Sequence, residues 1–295
     1  MREIDISLKI GESDVILPKS NELVRIGDLT ALKKDSNSNF YRSNYKRGEL
    51  LYSLITQYKP KTIVEFGTGR GYGALCMAKA IIDSNLDSYI YTIDYRNDTD
   101  KQIWPIDFGN NPKIIEASIK EIWSQFLPKE LIDKIKLLTG TSEKIIENWE
   151  TYNLPAPDFG FIDGGHDYHT VKHDFYGMLS IANSHFKVLF DDYVAKPEFG
   201  ICKLIEEIVE PIFNVELINS YSKYHPIHNR DDNHSNTSMV LIDSANTSKS
   251  LHTALPKTKI QFFLNDYRKK RKFRRKTKLF RQLLKIMLNR LKNLK

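Results

Sequence analysis

The segment Val64-Glu65-Phe66-Gly67-Thr68-Gly69-Arg70-Gly71-Tyr72-Gly73 joins a short apolar run, residues 62–66, to a stretch rich in Ala, Leu, Met and Ile, residues 73–84. The first reads as a strand and the second as a helix. Glycines at alternate positions let the backbone turn sharply between the two and come close to a ligand. The helix that follows presents unpaired N–H groups at its start. The dinucleotide fingerprint G-x-G-x-x-G fails here by one residue, because its third glycine falls on Tyr72.

Outward from this turn the chain alternates. Residues 46–58 carry Leu50, Leu51, Leu54 and Ile55 at helical spacing, and Pro60 ends that helix. Strands are expected at 89–94, 135–139, 159–163 and 186–191, with helices at 113–126, 142–149, 168–182 and 201–210 between or after them. Two further strands, 215–220 and 238–243, have no helix between them and should run antiparallel. The alternation predicts an α/β fold: a Rossmann-like, doubly wound, mostly parallel seven-stranded sheet with an antiparallel last strand. Residues 1–45 read as an N-terminal cap or lid, 46–245 as the main domain, and 246–295 as a linker and basic amphipathic C-terminal helix.

In such a sheet, ligands bind outside the carboxyl ends of the strands. The chemically loaded residues fall there. The glycines follow the first strand and Asp94 ends the second; Thr141 and Ser142 follow the third. Asp163 ends the fourth, and Asp191 and Asp192 end the fifth.

Composition narrows the class. The chain has 295 residues, and its two cysteines, Cys76 and Cys202, are too few and too far apart for a disulfide framework or a thiolate zinc site. A reducing, cytoplasmic setting is expected. Neither a signal-peptide core nor an apolar run of the ~20 residues that span a bilayer is present. The net charge of +7 is uneven. Residues 251–295 hold 16 Lys and Arg against the single acid Asp266, or +15, which leaves −8 on the rest. Such an asymmetry points to an anionic partner for the tail. Phe280, Leu284, Met287, Leu291 and Leu294 form one apolar helical stripe within the basic stretch. It reads as an anchor on an anionic membrane surface, at the inner face. Docking on the body or on a second copy of the chain is the other reading, and no nucleic-acid-binding motif is present.

The spacing Glu65, Gly67, Gly69, Gly71 resembles motif I of class I S-adenosylmethionine-dependent methyltransferases. The resemblance implies that Glu65, Gly67, Thr68, Gly69 and Gly71 wrap the methionine end of S-adenosyl-L-methionine. It also implies that Asp94 grips the ribose hydroxyls and that Thr141 and Ser142 meet the adenine. For the last pair, a helix N-cap role is equally compatible.

Asp163-Gly164-Gly165-His166-Asp167-Tyr168 and Asp191-Asp192-Tyr193 bring three carboxylates to neighbouring strand ends. Packed acids raise one another's pKa, and a divalent cation relieves this. Hard oxygen ligands suit Mg²⁺, with Mn²⁺ and Ca²⁺ as alternatives. The two segments resemble the metal-dependent small-molecule O-methyltransferases, most closely the macrocin-type sugar group. The resemblance covers about residues 45–245. It implies metal ligation by Asp163, Asp191 and Asp192, with Asp163 also beside the cofactor, and a sugar or glycoconjugate hydroxyl as acceptor. The lysine that catechol-type enzymes carry after their first metal aspartate is absent, so Asp163 or His166 is left as the base.

Other histidines carry weaker signals. His169 and His173 have the i, i+4 spacing of a zinc protease without its glutamate, and a solvated helix face is expected. The polar segment 221–236 reads as a hairpin over the site. Trp104, Tyr41, Tyr45 and Tyr193 read as stacking or packing aromatics. An RNA methyltransferase with a basic binding tail, and a cofactor-binding scaffold without turnover, are the competing functions; fold resemblance does not separate them.

Overall fold

Apolar runs alternating with amphipathic segments produce one sheet with a layer of helices on each face. The computed structural model describes residues 1–30, 32–34, 40–41, 45–106, 113–194, 200–220, 238–247 and 251–272. β1 (Arg2–Asp5), α1 (Ile6–Gly11) and α2 (Ser20–Leu29) precede a short antiparallel pair, β2 (Leu32–Lys34) and β3 (Phe40–Tyr41). α3 (Tyr45–Tyr58), β4 (Thr62–Phe66), α4 (Tyr72–Asp83) and β5 (Tyr89–Asp94) follow. A second antiparallel pair, β6 (Gln102–Ile106) and β7 (Lys113–Ala117), leads to α5 (Ile119–Phe126), α6 (Lys129–Asp133) and β8 (Ile135–Thr139). Next come α7 (Ser142–Glu147), β9 (Phe159–Ile162), α8 (Tyr168–Ile181), β10 (Lys187–Tyr193) and α9 (Gly200–Leu204), which passes into a π turn at Ile205–Val209. β11 (Glu216–Asn219), β12 (Ser238–Asp243), α10 (Leu251–Ala254) and a helix α11 over 257–272 complete the described chain.

Among the described residues the main sheet has eight strands, in the order β1-β11-β12-β10-β9-β4-β5-β8. The five strands from β10 to β8 are parallel, and β12 lies antiparallel between β10 and β11. The fold class is the one the alternation predicts, with one strand more than the seven expected. The difference is β1, from the segment read as a cap: Arg2 to Asp5 pair in parallel with Glu216 to Asn219 and extend the edge. Its residue Ile4 joins the core under the helices.

Each central strand is buried on both sides, as a covered parallel sheet requires. All five residues of β4 are buried. Ile63 faces a core built with Leu50, Leu51 and Leu54 of α3 and Leu75 of α4. Val64 and Phe66 face a second core built with Val171 and Phe175 of α8 and Ile201 and Leu204 of α9.

The helix expected over 113–126 is instead a strand followed by a helix. Lys113 to Ala117 pair with β6, and Ser118 starts α5 with a capping box to Glu121. Trp104 of β6 is fully buried and its Nε1 donates to the Ala117 carbonyl at 2.7 Å. This ring packs the pair onto the body, and Tyr193 is likewise buried.

Register sets the site. Phe66 is level with Ile93 on one side and Ile162 on the other, and Ile162 is level with Phe190. The residues that follow these four therefore emerge along one edge: Gly67, Asp94, Asp163 and Asp191.

Candidate active site

The glycine turn is built for close approach. Gly67 has φ +99°, and a Cβ there would stand 2.2 Å from the Asp163 carbonyl oxygen. The turn after β4 is thereby pressed against the end of β9. Gly69 has φ +56°, and a Cβ there would meet nothing within 4 Å. Its bare face opens into a cavity of about 690 Å³.

That cavity is lined by Gly67, Gly69, Asp94, Thr141, Ser142 and Asp163 among others. Six of the expected cofactor residues are thus brought together. Asp94 Oδ2 accepts from Gly69 N and Oδ1 from Arg96 N, each at 3.0 Å, and each oxygen keeps a second acceptor site. Thr141 stands at the N-cap of α7 without a side-chain capping bond. Its Oγ1 is buried on the wall and has no hydrogen-bond partner among the described residues. An open glycine face, a carboxylate at the second strand end and an orphaned hydroxyl fit a nucleoside-bearing ligand. Ser142 Oγ donates to Asp174 Oδ1 at 2.6 Å, so this serine is held in place by α8.

Glu65, Thr68 and Gly71 do not line the main cavity. Glu65 is buried behind the turn and accepts from Thr92 Oγ1, and Thr68 shares a 2.6 Å hydrogen bond with Thr92. Gly71 caps α4 against the Trp123 ring. Burial pushes the Glu65 carboxyl up to about 8, although the Thr92 hydroxyl opposes the shift. These three shape the turn from behind.

The acidic cluster forms beside the same cavity. One carboxylate oxygen from each of Asp163, Asp191 and Asp192 lies within 4.8 Å of the others. A regular strand would send Asp191 and Asp192 to opposite faces. Here the pairing of β10 with β12 slips between Phe190 and Tyr193, and Asp192 takes φ +54°. This left-handed bulge turns two consecutive carboxylates into one cluster. His166 Nδ1 approaches Asp192 Oδ2 at 3.2 Å. Asp167 caps α8 through His169 N and Thr170 N and so takes no part in the cluster. Burial pushes the Asp163 carboxyl up to about 6; Arg47 and His166 draw it down, and Asp192 adds to the rise.

Arg47 is the residue sequence reasoning passed over. Its Nη1 donates to Asp191 Oδ2 and stands 3.6 Å from Asp163 Oδ2. A signal existed: Arg47 precedes Leu50, Leu51 and Leu54 at spacings of 3, 4 and 7, which puts it on the apolar face of α3.

The expectation of a solvated face at His169 and His173 holds only for His169. His173 is 1% exposed, and its ring lies 4.5 Å from that of Tyr267. Helix α11 covers this side of α8. Ile260 and Leu264 are buried there, and Phe263 packs on Tyr176. Tyr41 and Tyr45 side chains, the segment 221–236 and the apolar stripe from Phe280 to Leu294 lie outside the described residues.

Residues 64–193 match a family described as a methyltransferase domain. No curated protein sequence matches the chain. Among solved structures, the chain is similar to an O-methyltransferase from Bacillus cereus in complex with SAH, with a TM-score of 0.51 and 16% identity. That alignment spans 80% of this chain and 96% of the other. It is also similar to the O-methyltransferase TomG from Streptomyces achromogenes, in complex with SAM, with a TM-score of 0.49 and 14% identity over 80% and 95% of the two chains. Residues 64–193 are thus similar to a methyltransferase domain, and the sheet that carries them has the Rossmann-like fold shared with the Bacillus cereus enzyme.

Proposed function

We propose that the protein transfers a methyl group to a hydroxyl, that of a sugar or glycoconjugate, with a divalent cation such as Mg²⁺ held by Asp163, Asp191 and Asp192. The observation that carries this reading is the bulge at Asp192. A non-glycine residue held at φ +54° costs on the order of 1 kcal/mol. Here that strain brings three carboxylates together, more negative charge than the single Arg47 guanidinium balances. The donor set, carboxylate oxygens alone, suits a hard ion with positions left for water and an acceptor.

When bound, S-adenosylmethionine supplies the activated methyl group and the cation supplies a Lewis acid next to the acceptor. The chain does the rest. Gly67 and Gly69 let the backbone approach the cofactor, and Asp94 receives the ribose hydroxyls. Asp163 or His166 takes the acceptor's proton. His166 Nδ1 stands 3.2 Å from Asp192 Oδ2, which orients the ring beside the cluster. An RNA base would not need the acid cluster.

The basic segment 273–295 is assigned by its sequence to an anionic lipid surface. Among the described residues, no helix is long and apolar enough to cross a membrane.

The test is calorimetric titration of Mg²⁺ and Mn²⁺ into the protein and its Asp191→Ala variant, followed by methyl transfer to nucleotide sugars, glycolipids and oligosaccharides with and without chelator. Loss of cation binding and turnover in the variant, with cofactor binding retained, is the expected result. Chelator-insensitive turnover would overturn the cation's role.

A further inference from the structure

Helix α11 lies outside residues 64–193, the stretch that matches the methyltransferase domain, yet one of its side chains borders the cofactor cavity. Ile260, Leu264, Tyr267 and Arg271 follow one another at spacings of 4, 3 and 4 and share a helix face. The first two are buried in the core. Tyr267 packs on His173. Arg271, one turn on, lines the cavity together with Thr141, Ser142 and Thr170. Its Nη1 stands 3.1 Å from Glu143 Oε2, and the Glu143 side chain is only 13% exposed. The guanidinium thus stands in ion-pair reach of a largely buried acid on α7, next to the serine that follows Thr141.

We propose that Arg271 is a cofactor-binding residue, and that α11 supplies the wall of the adenine end of the S-adenosylmethionine site. This rests on the reading of the cavity as that site. The chemistry suits the position. A planar guanidinium both stacks on a purine and donates hydrogen bonds in its plane, while its pairing with Glu143 keeps its net charge small. In the cavity that Ile93 and Tyr95 also line, Arg271 and the unpartnered Thr141 hydroxyl can meet a base's face or edge. Gly164 and Gly165 line the cavity without side chains, and the Ser142 hydroxyl is committed to Asp174. An element appended to the domain thereby completes its cofactor site.

The test compares the full chain with Arg271→Ala and Arg268→Ala in calorimetric titrations with S-adenosylhomocysteine and with adenosine. Arg268 sits one turn back and pairs with Glu147 at 3.2 Å. It lies outside the cavity lining, so its variant removes the same charge from the same helix without touching the wall. Arg271→Ala is expected to weaken both ligands at least tenfold, with the thermal midpoint of the free protein within a few degrees of wild type. Arg268→Ala is expected to leave both affinities within twofold. Equal affinities for wild type and Arg271→Ala would overturn the proposal, and so would an equal loss in the Arg268 variant. If wild type bound neither ligand, the reading of the cavity itself would fall first.

Discussion

Arg47 and Asp191 are joined by a hydrogen-bonded ion pair across 144 residues of sequence, and the guanidinium also faces Asp163. A monovalent cation supplied by α3 thus stands among the three carboxylates that would hold a divalent one. Both cannot use the same Asp191 oxygen. Arg47→Met removes the internal cation and leaves three mutually repelling acids. Breaking a buried pair by removing one partner typically costs about 3–5 kcal/mol. A bound ion stabilises the folded state in proportion to the logarithm of its concentration over Kd. The expected outcome is a lowered thermal midpoint for Arg47→Met in chelator and a larger upward shift with Mg²⁺ or Mn²⁺ than wild type gives. A midpoint indifferent to either metal in both proteins would count against the cation site.

Asp192 separates strain from charge. At φ +54° a glycine is unstrained and an alanine is penalised by about 1 kcal/mol or more relative to it. Asp192→Gly should therefore match or exceed wild type in a urea titration, and Asp192→Ala should fall below Asp192→Gly by roughly 1 kcal/mol. Both lose the carboxylate and with it divalent-cation binding. Should the alanine variant prove as stable as the glycine variant, the left-handed bulge would not be holding strain.

Glu65 predicts a pH dependence. Its ordinary value is 4.5, and in the fold burial raises it to about 8. Between these pH values the folded protein holds a proton that the unfolded chain has released. Stability from this group is therefore largest at low pH and declines as pH rises from about 4.5 to 8. Glu65→Gln removes the titration and should flatten that decline by a few kcal/mol across the window. Because Asp163 titrates inside the same range, the informative quantity is the difference between variant and wild type in urea midpoints at pH 5, 6.5 and 8.

The parts of the fold that were legible in the sequence are those governed by local pattern. The strand–turn–helix at Gly67 to Gly73, the two covered strands after it and the antiparallel β12 follow from apolar runs and turn residues. β1 was not legible, because four mixed residues acquire strand character only from pairing with Glu216 to Asn219. The strand Lys113 to Ala117 was masked by the helix behind it, although Ser118 and Glu121 already spelled a capping box at the boundary. Strand ends placed Asp94, Asp163, Asp191 and Asp192 along one edge of the sheet, as the register has them. Sequence alone did not separate residues that face the cavity, such as Gly69, from those that brace it from behind, such as Glu65 and Thr68. The contribution of α11 depends on a tertiary contact between Arg271 and Glu143, and no local pattern encodes it.

The basic tail can be divided on the same grounds. Arg268 and Arg271 are engaged with Glu147 and Glu143, so their charge is spent on the body. Residues 273–295 contain nine Lys and Arg and no acid, and each base near an anionic surface contributes about 1 kcal/mol. A chain ending at Lys272 keeps the cavity wall and loses the anchor. It should fail to sediment with phosphatidylserine-containing vesicles while binding S-adenosylhomocysteine as the full chain does. A chain ending at Tyr267 should lose both properties. If the first truncation already abolished cofactor binding, the boundary between wall and anchor would lie beyond Lys272; if it still sedimented with vesicles, the lipid surface would not be what the tail recognises.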